Sequence, residues 1–384
     1  MRLLFSGVLA LAVVSAACSE AVAPKSPADP QATAAELAAL GTLFNAAPLQ
    51  SLSSVIIEVP TPVAAPMRAL ALAGSTNPLR ASSRLRAYAD RIDGARMFTK
   101  LLPEMSVTGV AALLPPEFAG KTFEWNFATV GAGYDTTARA GAPQNGVRFI
   151  LYAIDPLTGL PAGPAPGTEV GYIDLMDETG TGNPKVHVIV AGVGGTPVYV
   201  DYTVRIGGQS PTSVTINTTG YITDAANSPD SLRFNGAITA ALSSNSISVT
   251  EDVSFDVNSH DVHVRNWQRV SFSATPTDTT ISLRLSFRFE YGAEVITLDG
   301  SLDADNLGNV TGEFTSRVDG GMYASCTVTG TQNSYTLSCQ GADADGLSAD
   351  DDAALDALGE AAGSVSSAFE GMLGPAIGVL GGGQ

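Results

Sequence analysis

The sequence predicts a mainly β protein. Its body is a large antiparallel sheet, either a sandwich or a curved open barrel, with a short N-terminal helix and an amphipathic C-terminal helix. Three observations carry that expectation. From Val107 onward, short runs alternate apolar and polar residues, the period of a half-buried strand. Turn-forming clusters at 227–229, 276–278, 319–321 and 331–333 separate these runs, in a chain with 40 Gly and 22 Pro. No helical crossover lies between the runs, so successive strands must pair mainly antiparallel.

The elements follow in chain order. Residues 19–30 (SEAVAPKSPADP) are rich in Pro and Ala with no hydrophobic period, and read as a flexible tether. A helix is predicted from Pro30, with Asp29 as N-cap, Leu37, Leu40 and Phe44 on one face, and Asn45 and Pro48 marking its end. The run SVIIEV at 54–59 predicts a first strand. Residues 60–106 read as an irregular connector carrying Arg80, Arg84, Arg86, Arg91, Arg96 and Lys100. That cluster could meet an anionic surface, and its plainer meaning is a solvated connector.

Strands are then predicted at 121–127, 147–154, 169–176, 185–191, 198–206, 213–222, 231–241, 246–257, 262–274, 280–290, 294–302, 309–317, 322–329 and 334–340. The last helix is capped by Ser348, with Asp351 three residues on as an Asp form of the capping box. Its apolar stripe is Leu355, Leu358, Ala362, Val365, Phe369 and Met372. The expected organisation is therefore 1–17 signal, 18–30 tether, 31–106 helix and basic connector, 107–345 β body, and 346–384 helix with a Gly-rich tail.

The start of the chain has the layout of an export signal. Met1 and Arg2 give a positive start, residues 3–14 are a mostly apolar run too short to span a bilayer, and Ser15, Ala16 and Ala17 lead to Cys18. This resembles a bacterial lipoprotein signal, in which the cysteine is diacylated and becomes the mature N-terminus. Ser15 stands where that family usually has a branched aliphatic residue. The alternative is plain secretion with cleavage after Ala16 or Ala17. Ser19, in place of Asp, resembles lipoproteins sorted to the outer membrane of diderm bacteria. The resemblance covers the first twenty residues or so and implies lipidation at Cys18 and a membrane as partner.

With Cys18 assigned to the signal, Cys326 and Cys339 remain as an even pair in an oxidising compartment. Pairing them across a hairpin also pairs Val328 with Leu337 and Gly330 with Tyr335, so one register satisfies both the sulfurs and the apolar alternation. A structural disulfide follows. The formal net charge is −18 with no dominant basic stripe, which argues against a nucleic-acid partner. Aromatics at 7 % and a chain ending in GGGQ argue against a transmembrane barrel.

The densest constellation is the hairpin 262–290. Val262, Val264, Val270, Phe272 and Ala274 share a face with Ile281, Leu283, Leu285, Phe287 and Phe289. The opposite face collects His263, Arg265, Trp267, Arg269, Arg284, Arg288 and Glu290, with Asp252 and Asp256 from the preceding strand. Four arginines around a tryptophan could bind an anionic or planar ligand. The competing expectation is a cross-strand charge ladder on a wet face, with Arg–Trp stacking.

Metal signals are fragmentary. Asp343, Asp345, Gly346 and Asp352 match four positions of a calcium loop, but its first position is Gly341. Asp303, Asp305 and Gly308 make a second partial match, broken by Leu307. His260 and His263 point to opposite faces of a regular strand. Gly120-Lys121-Thr122 lacks the first glycine of a phosphate loop, and no GxSxG or GxGxxG occurs. His187 and His263 could act as general acids only with partners supplied by the fold. No cofactor is indicated. The function expected is a non-enzymatic structural or binding protein of the cell envelope. The alternatives are a carrier of lipid in an apolar β trough plugged by the last helix, and an exported hydrolase.

Overall fold

The computed structural model describes residues 25–43, 51–55, 113–128, 133–155, 157, 160–162, 168–180, 182–210, 212–223, 231–257, 261–274, 279–331, 334–342 and 346–382. Cys18 and its signal, the basic cluster from Arg80 to Lys100, most of the strand expected at 54–59, His260, Asp343 and Asp345 lie outside them. Ser54 itself ends a 3-10 turn, Ser51–Ser54.

Fifteen strands form one sheet. They are β1 (Lys121–Trp125), β2 (Tyr134–Thr137), β3 (Gly146–Tyr152), β4 (Glu169–Asp177), β5 (Lys185–Gly192), β6 (Val198–Ser210), β7 (Ser213–Thr223) and β8 (Ser231–Leu242). Then come β9 (Ser246–Val257), β10 (Val262–Ala274), β11 (Thr279–Tyr291), β12 (Glu294–Asp305), β13 (Asn309–Val318), β14 (Gly321–Thr331) and β15 (Ser334–Gly341). From β15 back to β3 each strand pairs with its sequence neighbour, a plain antiparallel meander. Beyond β3 lie β1, which is parallel to it, and β2 at the edge. This single open sheet excludes the two-sheet sandwich left open by the sequence. β2, with the sequence YDTT, was not predicted; it carries no apolar alternation and exists by pairing with β1.

Among the described residues two α-helices accompany the sheet. Helix α1 (Pro30–Leu43) opens with Asp29 Oδ1 accepting the Ala32 amide at 2.9 Å, the expected N-cap. Helix α2 (Ala349–Gly382) opens with the expected capping box. Ser348 Oγ accepts from Asp351 N at 3.2 Å, and Asp351 Oδ2 accepts from Ser348 N at 2.9 Å. The Gly-rich tail is a correction: helix α2 runs through Pro375 to Gly382. An interior proline alone costs a helix about 3 kcal/mol. Here Met372, Leu373, Ala376 and Val379 are all buried, and that packing outweighs local propensity. The Tyr202 hydroxyl of β6 donates to the Met372 carbonyl, three residues before the proline.

Helix α2 lies across the strands. Its contacts step through the sheet in order: Asp351 meets Tyr323 of β14, and Ala362 meets Asn266 of β10. Ser366 meets Glu251 of β9, Phe369 covers Gly236 of β8, and Met372 meets Tyr202 of β6. A helix rises about 1.5 Å per residue and strands lie about 4.8 Å apart, so roughly three residues of helix span one strand. That ratio keeps the helix's own apolar repeat in step with successive strands. Leu355, Leu358, Ala362, Val365, Phe369 and Met372 are buried as the stripe predicted. Helix α1 packs on α2, and both join one core with the covered face of the sheet.

Candidate functional site

The predicted ligand face lies on the side of β9, β10 and β11 opposite helix α2, where its arginines are exposed to solvent. Its register sets Arg265 opposite Arg288, Trp267 opposite Ser286, and Arg269 opposite Arg284. Like charges directly opposite on a sheet destabilise it unless acids intervene. Acids do so at three of the four positions. Arg265 makes a bidentate pair with Asp252 at 3.1 and 2.9 Å; Arg288 pairs with Glu290 on its own strand; and Arg284 faces Asp303 of β12 at 3.8 Å. Arg269 meets a hydroxyl instead, Ser248 Oγ at 3.4 Å. His263 pairs with Asp256 at 2.6 Å, and that hydrogen bond raises its pKa. Among the described residues no arginine stacks on Trp267. The expected stacking is therefore replaced by hydrogen bonding to acids. These side chains do share one face, but as a neutralised ladder.

The covered side departs from expectation at its centre. Glu251, Asn266 and Gln268 occupy apolar-parity positions on β9 and β10 and are buried, Glu251 to 1 % exposure. Gln268 stands directly opposite Glu251 in the register. Asn266 Nδ2 donates to the Ala362 carbonyl at 3.2 Å, and its Oδ1 has no hydrogen-bond partner among the described residues. Alternation implies apolar side chains at 251, 266 and 268, so pattern alone passes over this polar seam. The signal available was the break itself, polar residues interrupting otherwise apolar positions on adjacent strands.

The two histidines within the described residues are both held by acids. His187 of β5 lies between Glu178 (Nδ1 to Oε1, 2.9 Å) and Asp201 of β6 (Nε2 to Oδ1, 2.7 Å). Lys185 also binds Glu178, at 2.7 Å, and is the main reason that this carboxyl's pKa is lowered, with His187 adding to it. With both ring nitrogens engaged, His187 offers no lone pair or proton to a substrate without breaking one of these bonds. Arg148 of β3 is similarly committed: it clasps Asp174 at 2.7 Å through two nitrogens and stacks 3.6 Å over the Tyr172 ring. The nearby Tyr152 hydroxyl is pushed up to about 12 by burial and by Glu124 and Glu169.

Where they are described, the calcium-loop candidates have other roles: Asp303 faces Arg284 from β12, and Asp305 caps a turn. Asp305 accepts the Leu307 and Asn309 amides, each at 2.9 Å, and the Asn309 side chain at 2.7 Å; the last of these does most to lower its pKa. Asp352 sits in the first turn of α2, where an acid suits the helix dipole. Among the described residues no three His, Cys, Asp or Glu side chains gather to hold an ion. Gly120 precedes β1 as a turn glycine (φ 76°), so Lys121 and Thr122 begin a strand and not a helix.

The Cys326–Cys339 disulfide is present in the expected register, which also pairs Val328 with Leu337 and Gly330 with Tyr335. It ties the edge strand β15 to β14. No helix among the described residues is long and apolar enough to cross a membrane. No family model and no curated protein matches the chain.

Proposed function

We propose that this is an exported, lipid-anchored protein of the cell envelope with a non-enzymatic structural or binding role. One observation carries the reading: the face of the sheet that a carrier would keep open is occupied by the chain's own helix α2, fixed there by side chains of β6, β9, β10 and β14. Glu251, Asn266 and Gln268 beneath that helix would meet an acyl chain with polar groups, whose burial without partners costs about 1–3 kcal/mol each. The neutralised ladder of β9 to β11 and the doubly bonded His187 favour a scaffold over a hydrolase. Attachment would come from Cys18, since two acyl chains hold a protein stably at a bilayer.

Fractionation of the Cys18→Ser protein tests the anchor. The expected result is release from the membrane fraction or an unprocessed precursor. Processing and fractionation like the parent would sink it. Solvent extraction of the purified parent tests the role: stoichiometric co-purifying lipid would favour the carrier alternative, with α2 displaced from the sheet.

A further inference from the structure

In an antiparallel meander every second turn lies at the same end of the strands. The connections β3–β4, β5–β6, β7–β8, β9–β10, β11–β12 and β13–β14 share one end, and the remaining turns share the other. The tether docks at the first of these ends. Lys25 N donates to the Met322 carbonyl at 3.0 Å, and its ammonium pairs with Asp319 in the β13–β14 turn. Ala28 N donates to Glu294 at 2.9 Å, beside the β11–β12 turn. Farther along the chain, Ser51 Oγ donates to the Tyr152 carbonyl at 2.8 Å, at the end of β3 that leads into the β3–β4 connection.

The exposed apolar side chains are distributed in the same way. Among the described residues six large hydrophobic side chains stand exposed: Leu157, Leu160, Val193, Tyr291, Leu307 and Met322. Five belong to the end where the tether docks, and Leu307 alone belongs to the opposite one. Leu157 is 94 % exposed, in a turn closed by Asp155: its carboxylate accepts the Leu157 amide at 2.8 Å, and its own amide donates to the Leu160 carbonyl at 2.9 Å. Val193 projects from a 3-10 turn between β5 and β6. Two acids at this end, Asp319 and Glu294, are already engaged by Lys25 and Ala28.

We infer that this end of the sheet is a membrane-docking rim, whose partner is a lipid surface and whose apolar tips enter the interface. Cys18 is seven residues before Lys25, a reach of about 25 Å when extended. The central strands β8 to β12, of 12 or 13 residues, are about 40 Å long. An anchor at Cys18 would therefore hold this rim at the bilayer and the Leu307 end away from it. Single exposed hydrophobes are ordinary on a protein surface; their gathering at the end where the tether departs is the independent second observation. The inference rests on the proposal that the protein works at a membrane, but its test does not need the acyl chains.

The test uses residues 18–384 with Cys18→Ser, co-sedimented with vesicles of phosphatidylcholine alone and of phosphatidylcholine mixed with phosphatidylglycerol. The expected result is weak binding to both, little altered by salt. Leu157→Ser with Val193→Ser should weaken it by about tenfold or more, since each removes an apolar side chain that would leave water at the interface. Tyr291→Ser with Met322→Ser is a second, independent pair expected to weaken it in the same direction. Leu307→Ser should leave it unchanged. Absence of vesicle binding by the parent, indifference to both pairs, or loss on Leu307→Ser would overturn the inference. Failure of lipidation in the fractionation experiment would leave these outcomes standing, so the two proposals fail separately.

Discussion

The hydroxyl of Ser366 on α2 lies 2.8 and 3.0 Å from the two carboxylate oxygens of Glu251 on β9, in a seam where both side chains are buried. A hydrogen bond to a carboxylate contributes about 1.5–3 kcal/mol, and a buried acceptor that loses its donor keeps its desolvation cost. Ser366→Ala should lower the stability by about 1–3 kcal/mol in urea unfolding. Thr at 366 should retain most of it, because the hydroxyl survives. Equal losses for Ala and Thr would mean that packing, and not this bond, governs the position.

Gly236 lies under Phe369, and a Cβ added there would stand 2.5 Å from the ring. Alanine in place of a strand glycine usually stabilises by limiting the unfolded chain, by about 0.4–1 kcal/mol. Here overpacking should win, and Gly236→Ala should destabilise by about 1–3 kcal/mol. Pairing it with Phe369→Leu should recover part of the loss. A stabilised Gly236→Ala single variant would show that α2 does not rest on β8.

Replacing Cys326 and Cys339 together by Ser removes a cross-link spanning a sequence separation of 13 and should cost about 2–4 kcal/mol. The loss should concentrate at the edge, because β15 has a partner on one side only, in β14. Hydrogen exchange should rise first in β15. Mass spectrometry of a non-reducing digest checks the link itself; free thiols at both positions would refute it.

The tether latch should respond to acid. The Asp319 carboxyl is held below its usual range, first by Lys25 and then by the Val295 amide. A depressed carboxylate stabilises the docked state at pH values above its unfolded pKa of about 3.9, and that contribution is lost as the pH falls through the lower folded value. Lys25, whose pKa is raised mainly by the same hydrogen bond, loses its part only as the pH climbs past its own raised value. Docking of residues 25–31 should thus be constant through neutral pH and loosen below about pH 4. Proteolysis at Lys25 in Asp319→Asn protein at pH 7 should exceed that of the parent. Unchanged cleavage would mean that the backbone bond to Met322 suffices.

Much of this architecture is legible in the sequence, because its determinants are local. Alternation over 262–274 and 279–291 fixes which side chains share a face, since a slip of one residue would turn every apolar group to water. The same parity pairs Cys326 with Cys339, and capping chemistry places the starts of α1 at Asp29 and of α2 at Ser348. Tertiary structure decided what depends on residues far apart in the chain. β2 forms only because β1 offers it a partner. Residues 373–382 remain helical despite Pro375 because Leu373, Ala376 and Val379 are buried. Glu251, Asn266 and Gln268 sit at apolar-parity positions that pattern reading passes over, and only the arrival of α2, about a hundred residues later, supplies Ser366 to Glu251 and the Ala362 carbonyl to Asn266. The arginines of β10 and β11 could be placed on one face from sequence. Arg288 meets Glu290 two residues on in its own strand, but the partners of Arg265, Arg269 and Arg284 required the lateral order of four strands, because cross-strand and diagonal distances set those contacts.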